Sequence, residues 1–267
     1  MDLPSWAPRD TDMSRPSVAR VYDYILGGAH NFAVDRVLGD ELAHTSPDAA
    51  AAMRTNRLFL RRAVRFLARQ GMTQYLDIGS GIPTVGNVHE IAQEIAPEST
   101  VVYVDVDPVA VAHSETILDG NERVAVLCVD LREPDRIVAE ATELGLLDFD
   151  RPVAVILVGM VHFLSGVDGP GKAIARLRTR LARGSYLALS HATMDQQPPE
   201  VIAAQQLSAR TPTPLHPRTY TEVSAFFGDL SMVDPGLVFT CEWRPDSGEI
   251  IECPERTGAY AGIGRKA

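Results

Sequence analysis

The sequence predicts a doubly wound α/β fold whose mostly parallel sheet finishes in an antiparallel hairpin. Three observations carry this. From residue 74 onward, short apolar, β-branched runs alternate with helical stretches, the pattern of successive βαβ units. The runs are apolar throughout, as a parallel sheet covered on both faces requires. Near the C-terminus, LSMV (230–233) and LVFTCEW (237–243) are separated only by Asp234-Pro235-Gly236, too few residues for a crossover but enough for a hairpin turn.

The elements follow in order. QYLDI precedes a helix over 85–96, TVVYVDV one over 108–118, and VAVLCVD one over 134–144. PVAVILVG precedes a helix over 172–181, and GSYLALSH one over 199–209. Upstream, residues 1–16 are rich in proline and charge and are expected to lack order. SVARVYDYIL (17–26) has helical spacing, with Val18, Val21 and Ile25 on one face, and stops at Gly27-Gly28. A second short helix is expected in FAVDRVLGDEL. A third starts at Ser46-Pro47, a cap followed by proline at the first helical position, and ends before Gly71. Its apolar face carries Met53, Leu60, Val64 and Leu67, while Arg54, Arg57, Arg61 and Arg65 read as a solvated stripe. Asn56 falls among the apolar positions and needs hydrogen-bond partners, from neighbouring backbone or from a ligand.

The bulk numbers narrow the function. The 267 residues suit one large domain, and 45% hydrophobic with 22% charged residues suits a packed globular protein. MDLPSWAPRD has no apolar segment of the secretory kind. The longest apolar run, VAVILVGMVHFL (153–164), is too short to span a bilayer. A cytoplasmic location and no membrane partner are therefore expected. Cys128, Cys241 and Cys253 have neither disulfide-framework nor zinc spacing; no metal site is expected, and Cys128 reads as a small core residue. A net charge of −10 argues against nucleic acid, whose phosphates call for surplus cations.

Ligands of doubly wound folds bind at the carboxyl ends of the strands. The first strand ends in Asp77 and opens into Gly79-Ser80-Gly81, the second ends in Asp105-Val106-Asp107, and the third in Asp130-Leu131. Bare glycines let a ligand approach the backbone. An acid after the second strand can accept from both ribose hydroxyls, and one after the third from an adenine amine. Two cofactor classes compete. A dinucleotide loop wants GxGxxG, but Thr84 stands where the third glycine belongs, and an acidic ring is ill suited to pyrophosphate. S-adenosylmethionine has no phosphate, and its ammonium and sulfonium are cationic, so nearby acids help it.

DIGSG, VVYVDVDP and CVDL resemble motifs I to III of class I S-adenosylmethionine-dependent methyltransferases. More narrowly, PSVARVYDYILGGAHNFAVDR, RTNRLFLRRAVRFLA and YLDIGSGIPT resemble the S-adenosyl methyltransferase family of actinobacteria, the DUF574 group. That likeness runs from about Pro16 to Trp243. It implies a Rossmann-like class I methyltransferase fold, with a seven-stranded sheet and an N-terminal helical cap. One domain would divide into a cap (17–72), a cofactor-binding core (73–192) and an acceptor side with the hairpin (193–267). It also implies Gly79 and Gly81 against the methionine moiety, Asp105 on the ribose, and Asp130 near the adenine, with Asp77, Asp107, Leu131 and Gly159 beside them. Pro83, where the class usually has glycine, is a variant of the narrower family.

The acceptor side is less determined. The segment before and after Gly27-Gly28 either closes over the site and supplies Tyr22, His30 or Asn31 as contacts, a reading to which Asn56 also belongs, or is a docking helix with aromatic anchors. His162 and His191 follow the fourth and fifth strands and are candidate general bases, unless they are structural. Pro198-Pro199 and TPTPLHP, which contains His216, either shape the acceptor pocket or simply connect elements. The expected activity is methyl transfer to oxygen or nitrogen of a small-molecule acceptor. The alternatives are a non-catalytic S-adenosylmethionine sensor and a nicotinamide-dependent oxidoreductase. A homodimer is compatible with the sequence.

Overall fold

The computed structural model describes residues 12–45, 47–82, 86–197, 213–246 and 253–267. The expected helix over 199–209, the cap residue Ser46, Pro83, the Pro198-Pro199 pair and most of residues 1–16 lie outside that set.

Five parallel strands form the body of the sheet: β1 (Gln74–Ile78), β2 (Thr100–Asp105), β3 (Val124–Cys128), β4 (Ala154–Val158) and β5 (Tyr186–Ala192). Three strands follow, β6 (Ser231–Met232), β7 (Val238–Phe239) and β8 (Ala259–Arg265). The order is β3-β2-β1-β4-β5-β8-β6, with β7 also on β8, and β8 is antiparallel to all its neighbours. The chain therefore reverses its winding direction between β1 and β4, where a doubly wound sheet leaves a crevice.

Among the described residues the α-helices are α1 (Val18–Ile25), α2 (Ala33–Thr45), α3 (Pro47–Arg69), α4 (Val88–Ile95), α5 (Pro108–Leu118), α6 (Pro134–Glu143), α7 (Pro170–Arg180) and α8 (Tyr220–Ala225). Alternate strand residues feed two cores, as the pleat demands. Leu76, Val102, Val155 and Leu187 pack with Ile137 of α6 and Leu177 of α7. Tyr75, Val101, Ile156 and Ala188 pack with Phe59 and Leu67 of α3 and Ile91 of α4. Both faces are covered, which is why these strands read as unbroken apolar runs.

Three expectations are corrected in detail. The antiparallel end of the sheet is present, but its central strand is β8 rather than 237–243. Asp234-Pro235-Gly236 does not reverse the chain. β6 and β7 lie in tandem along one edge of β8, Val233 N–H donates to Ile263 (2.8 Å), and a turn closed by Gly236 N–H on the Val233 carbonyl (2.8 Å) bulges out between them. Proline lacks the N–H a ladder needs, so it is placed outside the pairing. Strand β8 is hard to read because of Gly262 and Gly264. A Cβ at Gly264 would stand 2.9 Å from the Leu230 Cβ, so the bare backbone makes room for the chain packed on it. Cys128 is exposed, because β3 is the sheet edge and its run is covered only in part. The arginine stripe is not uniformly solvated either: Arg54 and Arg61 are exposed, but Arg57 is half-buried. Its neighbour Arg62 is buried and donates to the Trp243 (2.9 Å) and Thr240 (2.8 Å) carbonyls.

The helical cap is built around an ion pair. Arg20 Nε donates to Asp35 Oδ2 at 2.7 Å, and the two side chains are 4% and 0% exposed. Asp35 also accepts from the Ser17 (2.9 Å) and Phe32 (2.8 Å) amides. Gly27 (φ +86°) turns the chain, and at Gly28 a Cβ would collide with the Asp23 carboxylate. That carboxylate accepts from the His30 amide (2.9 Å) and Asn31 Nδ2 (3.0 Å), so the glycine pair serves a loop tied back on its own helix. Among the described residues, no helix is long and apolar enough to cross a membrane. Asp35→Ala leaves Arg20 buried without its partner and should cost about 3–5 kcal/mol of stability, measurable by urea denaturation; a loss below about 1 kcal/mol would show that the cap does not depend on this pair.

Candidate active site

The loop after β1 needs its glycines. Gly79 and Gly81 have φ of +72° and +64°, a region that side chains disfavour. At Gly79 a Cβ would also come within 2.4 Å of the Met160 Cβ. Gly79 N–H donates to the Val104 carbonyl (2.7 Å), which ties the loop to β2. Asp105 continues that tie: its Oδ2 accepts from Gly81 N–H at 2.7 Å and its Oδ1 from Asp107 N–H at 2.8 Å. Asp107 caps α5 by accepting from Val109 N–H (2.9 Å), and its other oxygen accepts from Ser17 Oγ (2.6 Å) of the helical cap. After β3, Asp130 Oδ1 accepts from the Arg132 amide (2.8 Å) and Oδ2 from Arg132 Nη2 (2.7 Å). Arg132 also donates to Asp168 (3.2 Å), spanning the loops after β3 and β4.

Asn56 finds its partners among side chains. It donates to Tyr22 Oη (3.3 Å) and accepts from Ser190 Oγ (2.6 Å). Tyr22 in turn donates to the Met53 carbonyl (2.9 Å), and Ser190 accepts from Gly159 N–H (2.9 Å). A Cβ at Gly159 (φ +74°) would come 2.7 Å from Asn56 Nδ2. This chain of bonds joins cap, α3, β5 and the end of β4. Ser190 gave no signal in the sequence, since it sits inside an apolar strand run.

These elements surround one pocket of about 820 Å³ at the carboxyl ends of the strands. Tyr22, Asn56, Asp77, Gly79, Gly81, Asp105, Asp107, Asp130, Leu131 and Gly159 all line it. So do Arg57, Phe163 and His216, of which Arg57 was expected in solvent. His162 and His191 are not among the lining residues. His191 is fully buried; its Nδ1–H donates to the Ala192 carbonyl (2.7 Å) and its Nε2 accepts from Arg218 (2.8 Å). Burial pushes its pKa down to about 4, with Arg218 adding to the effect. His162 Nδ1 accepts from Ala192 N–H (3.2 Å), and burial holds its pKa well below the usual range. Each imidazole has a ring nitrogen engaged by a donor from within the protein, the Ala192 amide for His162 and Arg218 for His191. Among the described residues no group of His, Cys, Asp and Glu is placed to hold a metal.

The pocket's chemistry selects its ligand. Six acids and four arginines line the pocket, and Asp77, Asp105, Asp107 and Asp130 lie with the loop of bare backbone at the strand ends, an arrangement that suits a cationic, phosphate-free nucleoside. Comparison with known proteins agrees: residues 4–267 match the family model described as S-adenosyl methyltransferase. The chain belongs to the S-adenosyl methyltransferase family. S-adenosyl-L-methionine is accordingly its cofactor, and the residues present fit it. No curated protein matches the chain. Among solved structures, a candidate methyltransferase from Thermobifida fusca YX superposes with a TM-score of 0.91 at 39% identity, covering 98% of this chain and 99% of that one. A DUF574 family protein from Streptomyces avermitilis MA-4680 has a TM-score of 0.91 at 38% identity, covering 96% and 99%. An O-methyltransferase family protein from Burkholderia thailandensis, at 17% identity with a TM-score of 0.51 over 82% of this chain and 59% of its own length, shares the fold.

Asp77 gives the pocket a measurable signature. It is 6% exposed, and burial raises its pKa from 3.8 to about 7, with Arg57 opposing the shift and Asp105 adding to it. A raised folded-state pKa means that the native protein holds the extra proton between these limits. The stability this contributes is full below about pH 3.8 and is lost as pH rises through about 7. In the ligand-free protein the loss is up to about 4 kcal/mol. Asp77→Asn should flatten the pH dependence of stability over that interval, as read by denaturation at a series of pH values; an unchanged profile would place the titration elsewhere.

Proposed function

We propose that this S-adenosyl methyltransferase transfers a methyl group to an oxygen or nitrogen of a small-molecule acceptor. The observation that supports this reading is the extent of the pocket. Its volume is about 820 Å³, and Tyr22, Phe163 and His216 line it in addition to the glycine loop and the strand-end acids, which supports room for a second reactant. The net charge of −10 favours a neutral or cationic acceptor over nucleic acid.

The bound cofactor supplies an electrophilic methyl on a sulfonium. What remains for the protein is placement. Asp105 is the residue for the ribose hydroxyls, Asp130 and Leu131 for the adenine, and Gly79 and Gly81 for close approach of the methionine moiety. Tyr22 and Asn56, bonded to each other and through Asn56 to Ser190, are further contacts for the cofactor. Holding two reactants in attack geometry supplies about 7–11 kcal/mol, against about 3–5 kcal/mol for a general base. Positioning therefore dominates, and an acceptor that loses its proton easily needs no base. Where one is used, His216 is the histidine that lines the pocket, while His162 and His191 support the loops around it.

The test is binding followed by turnover. S-adenosylmethionine should protect the protein against thermal unfolding and NAD should not. Asp105→Ala should weaken binding by about tenfold or more in calorimetry, the scale of charge-assisted hydrogen bonds, and His162→Ala should leave it nearly intact. Normal affinity in the Asp105 variant would refute the site assignment. Failure to form S-adenosylhomocysteine with any acceptor of a broad phenol, amine and carboxylate panel would favour a sensor over an enzyme.

A further inference from the structure

We propose that the stacked His30–His113 pair is an acid-sensitive fastening between the helical cap and α5. It seats the cap wall of the pocket while both imidazoles are neutral and releases it when they take up protons. This fastening is independent of which ligand the pocket holds.

Helix α1 forms part of the pocket wall through Val18, Ala19, Arg20 and Tyr22. The segments on either side of it both sit on α5. Before α1, Ser17 Oγ donates to Asp107 Oδ2 at 2.6 Å, and Asp107 is the N-cap of α5. After α1, the chain turns at Gly27-Gly28 and brings the His30 ring against His113, with ring centroids 3.5 Å apart and planes inclined at 40°. Asp107 and His113 are six residues apart on one helix, about 9 Å along its axis, so the two contacts hold the cap at separate points. The His30 ring is in turn tied to α1. Its own N–H donates to Asp23 Oδ2 at 2.9 Å, and Asn31 Nδ2 donates to the same oxygen at 3.0 Å.

The contact is tolerant of neutral rings and intolerant of charged ones. Uncharged imidazoles pack face to face as aromatic rings do, whereas two imidazolium ions at this separation repel. His113 is 3% exposed, so a charge placed there is also withdrawn from water. Burial pushes its pKa down from 6.5 to about 4, with His30 adding to the fall and Asp23 of α1 opposing it. Other charges on the surrounding elements are engaged elsewhere or exposed. Asp35 of α2 pairs with Arg20, and Arg36 donates to the Asn31 backbone and side-chain oxygens (3.1 Å each). Glu115 of α5 is exposed, and the strand residues packed with Leu118 of α5 (Val101, Tyr103 and Val124) bring no charge. A lowered pKa in the docked state means that the docked cap holds fewer protons than the released one. Docking is therefore strongest above about pH 6.5 and is lost as pH falls toward about 4.

Hydrogen exchange tests this on the wild-type chain. Between about pH 7.5 and about pH 5, protection of the α1 amides, corrected for the intrinsic pH dependence of exchange, should fall about tenfold or more beyond any change in β1. His30→Phe keeps a ring on His113 and removes the titrating nitrogens, so its α1 protection should stay within about twofold over the same interval. His113→Gln should remove the acid response from the other side of the contact. Protection of β1 at about pH 7.5 shows whether each variant is folded. Wild-type α1 protection that does not change with pH, or an equal loss in α1 and β1, would overturn the proposal. So would an acid loss that persists in folded His30→Phe.

Discussion

The Asp77 and Asp105 carboxylates end neighbouring parallel strands, and Asp105 adds to the cost of ionising the buried Asp77. Acids withdrawn from water are tolerated only when the surroundings supply compensation. For Asp105 the compensation is the backbone: Gly81 and Asp107 N–H groups close on its two oxygens. That arrangement fixes the loop after β1 against the loop after β2. It also explains why Gly81 must bring its amide so near a carboxylate. Asp77 has no such amides, and the cation that faces it comes from another element, Arg57 of α3. The position of α3 over the sheet thus brings a cation to the pocket as well as packing Phe59 and Leu67.

The helical cap follows from the same constraint. Its inner structure is tied by two local clusters, the Arg20–Asp35 pair and the loop amides and Asn31 that bond Asp23 Oδ2. Its attachment to the core is polar and passes through groups of the pocket wall, Ser17 to Asp107 and Tyr22 to Asn56. Hydrogen bonds of this kind contribute about 1 kcal/mol each, far less than the buried apolar contacts of the sheet.

Much of this was legible in the residues. Uniform apolar runs revealed the strands because a sheet covered on both faces admits nothing else, and acids placed after three successive strands revealed the pocket. The misreadings share a cause. Cys128 looked buried, Arg57 looked solvated, and Asp234-Pro235-Gly236 looked like a hairpin, because each judgement was made from neighbours in sequence. Which strand is the edge, which helix crosses the strand ends, and which strand a turn leads back to are set by tertiary contacts. Strand β8 is the sharpest case. Its glycines lower strand propensity, yet Leu230 and Phe227 require the space they leave.

The histidines show how much placement at a strand end leaves open. His162 and His191 occupy the edge where ligands bind, but a base must present a free lone pair toward the proton it removes. Here Ala192 uses its amide to engage His162 and its carbonyl to engage His191, and Arg218 takes the remaining nitrogen of His191. Arg218 also donates to the Leu164 carbonyl (2.8 Å), and the His216 amide to the His162 carbonyl (2.6 Å). The two imidazoles thus belong to a strap that holds residues 161–165 and 213–218 against β5. Their neutral state serves that strap, because a protonated His191 would face Arg218 with like charge. The strap thus holds rigid the loops that carry Phe163 and His216, two residues of the pocket wall.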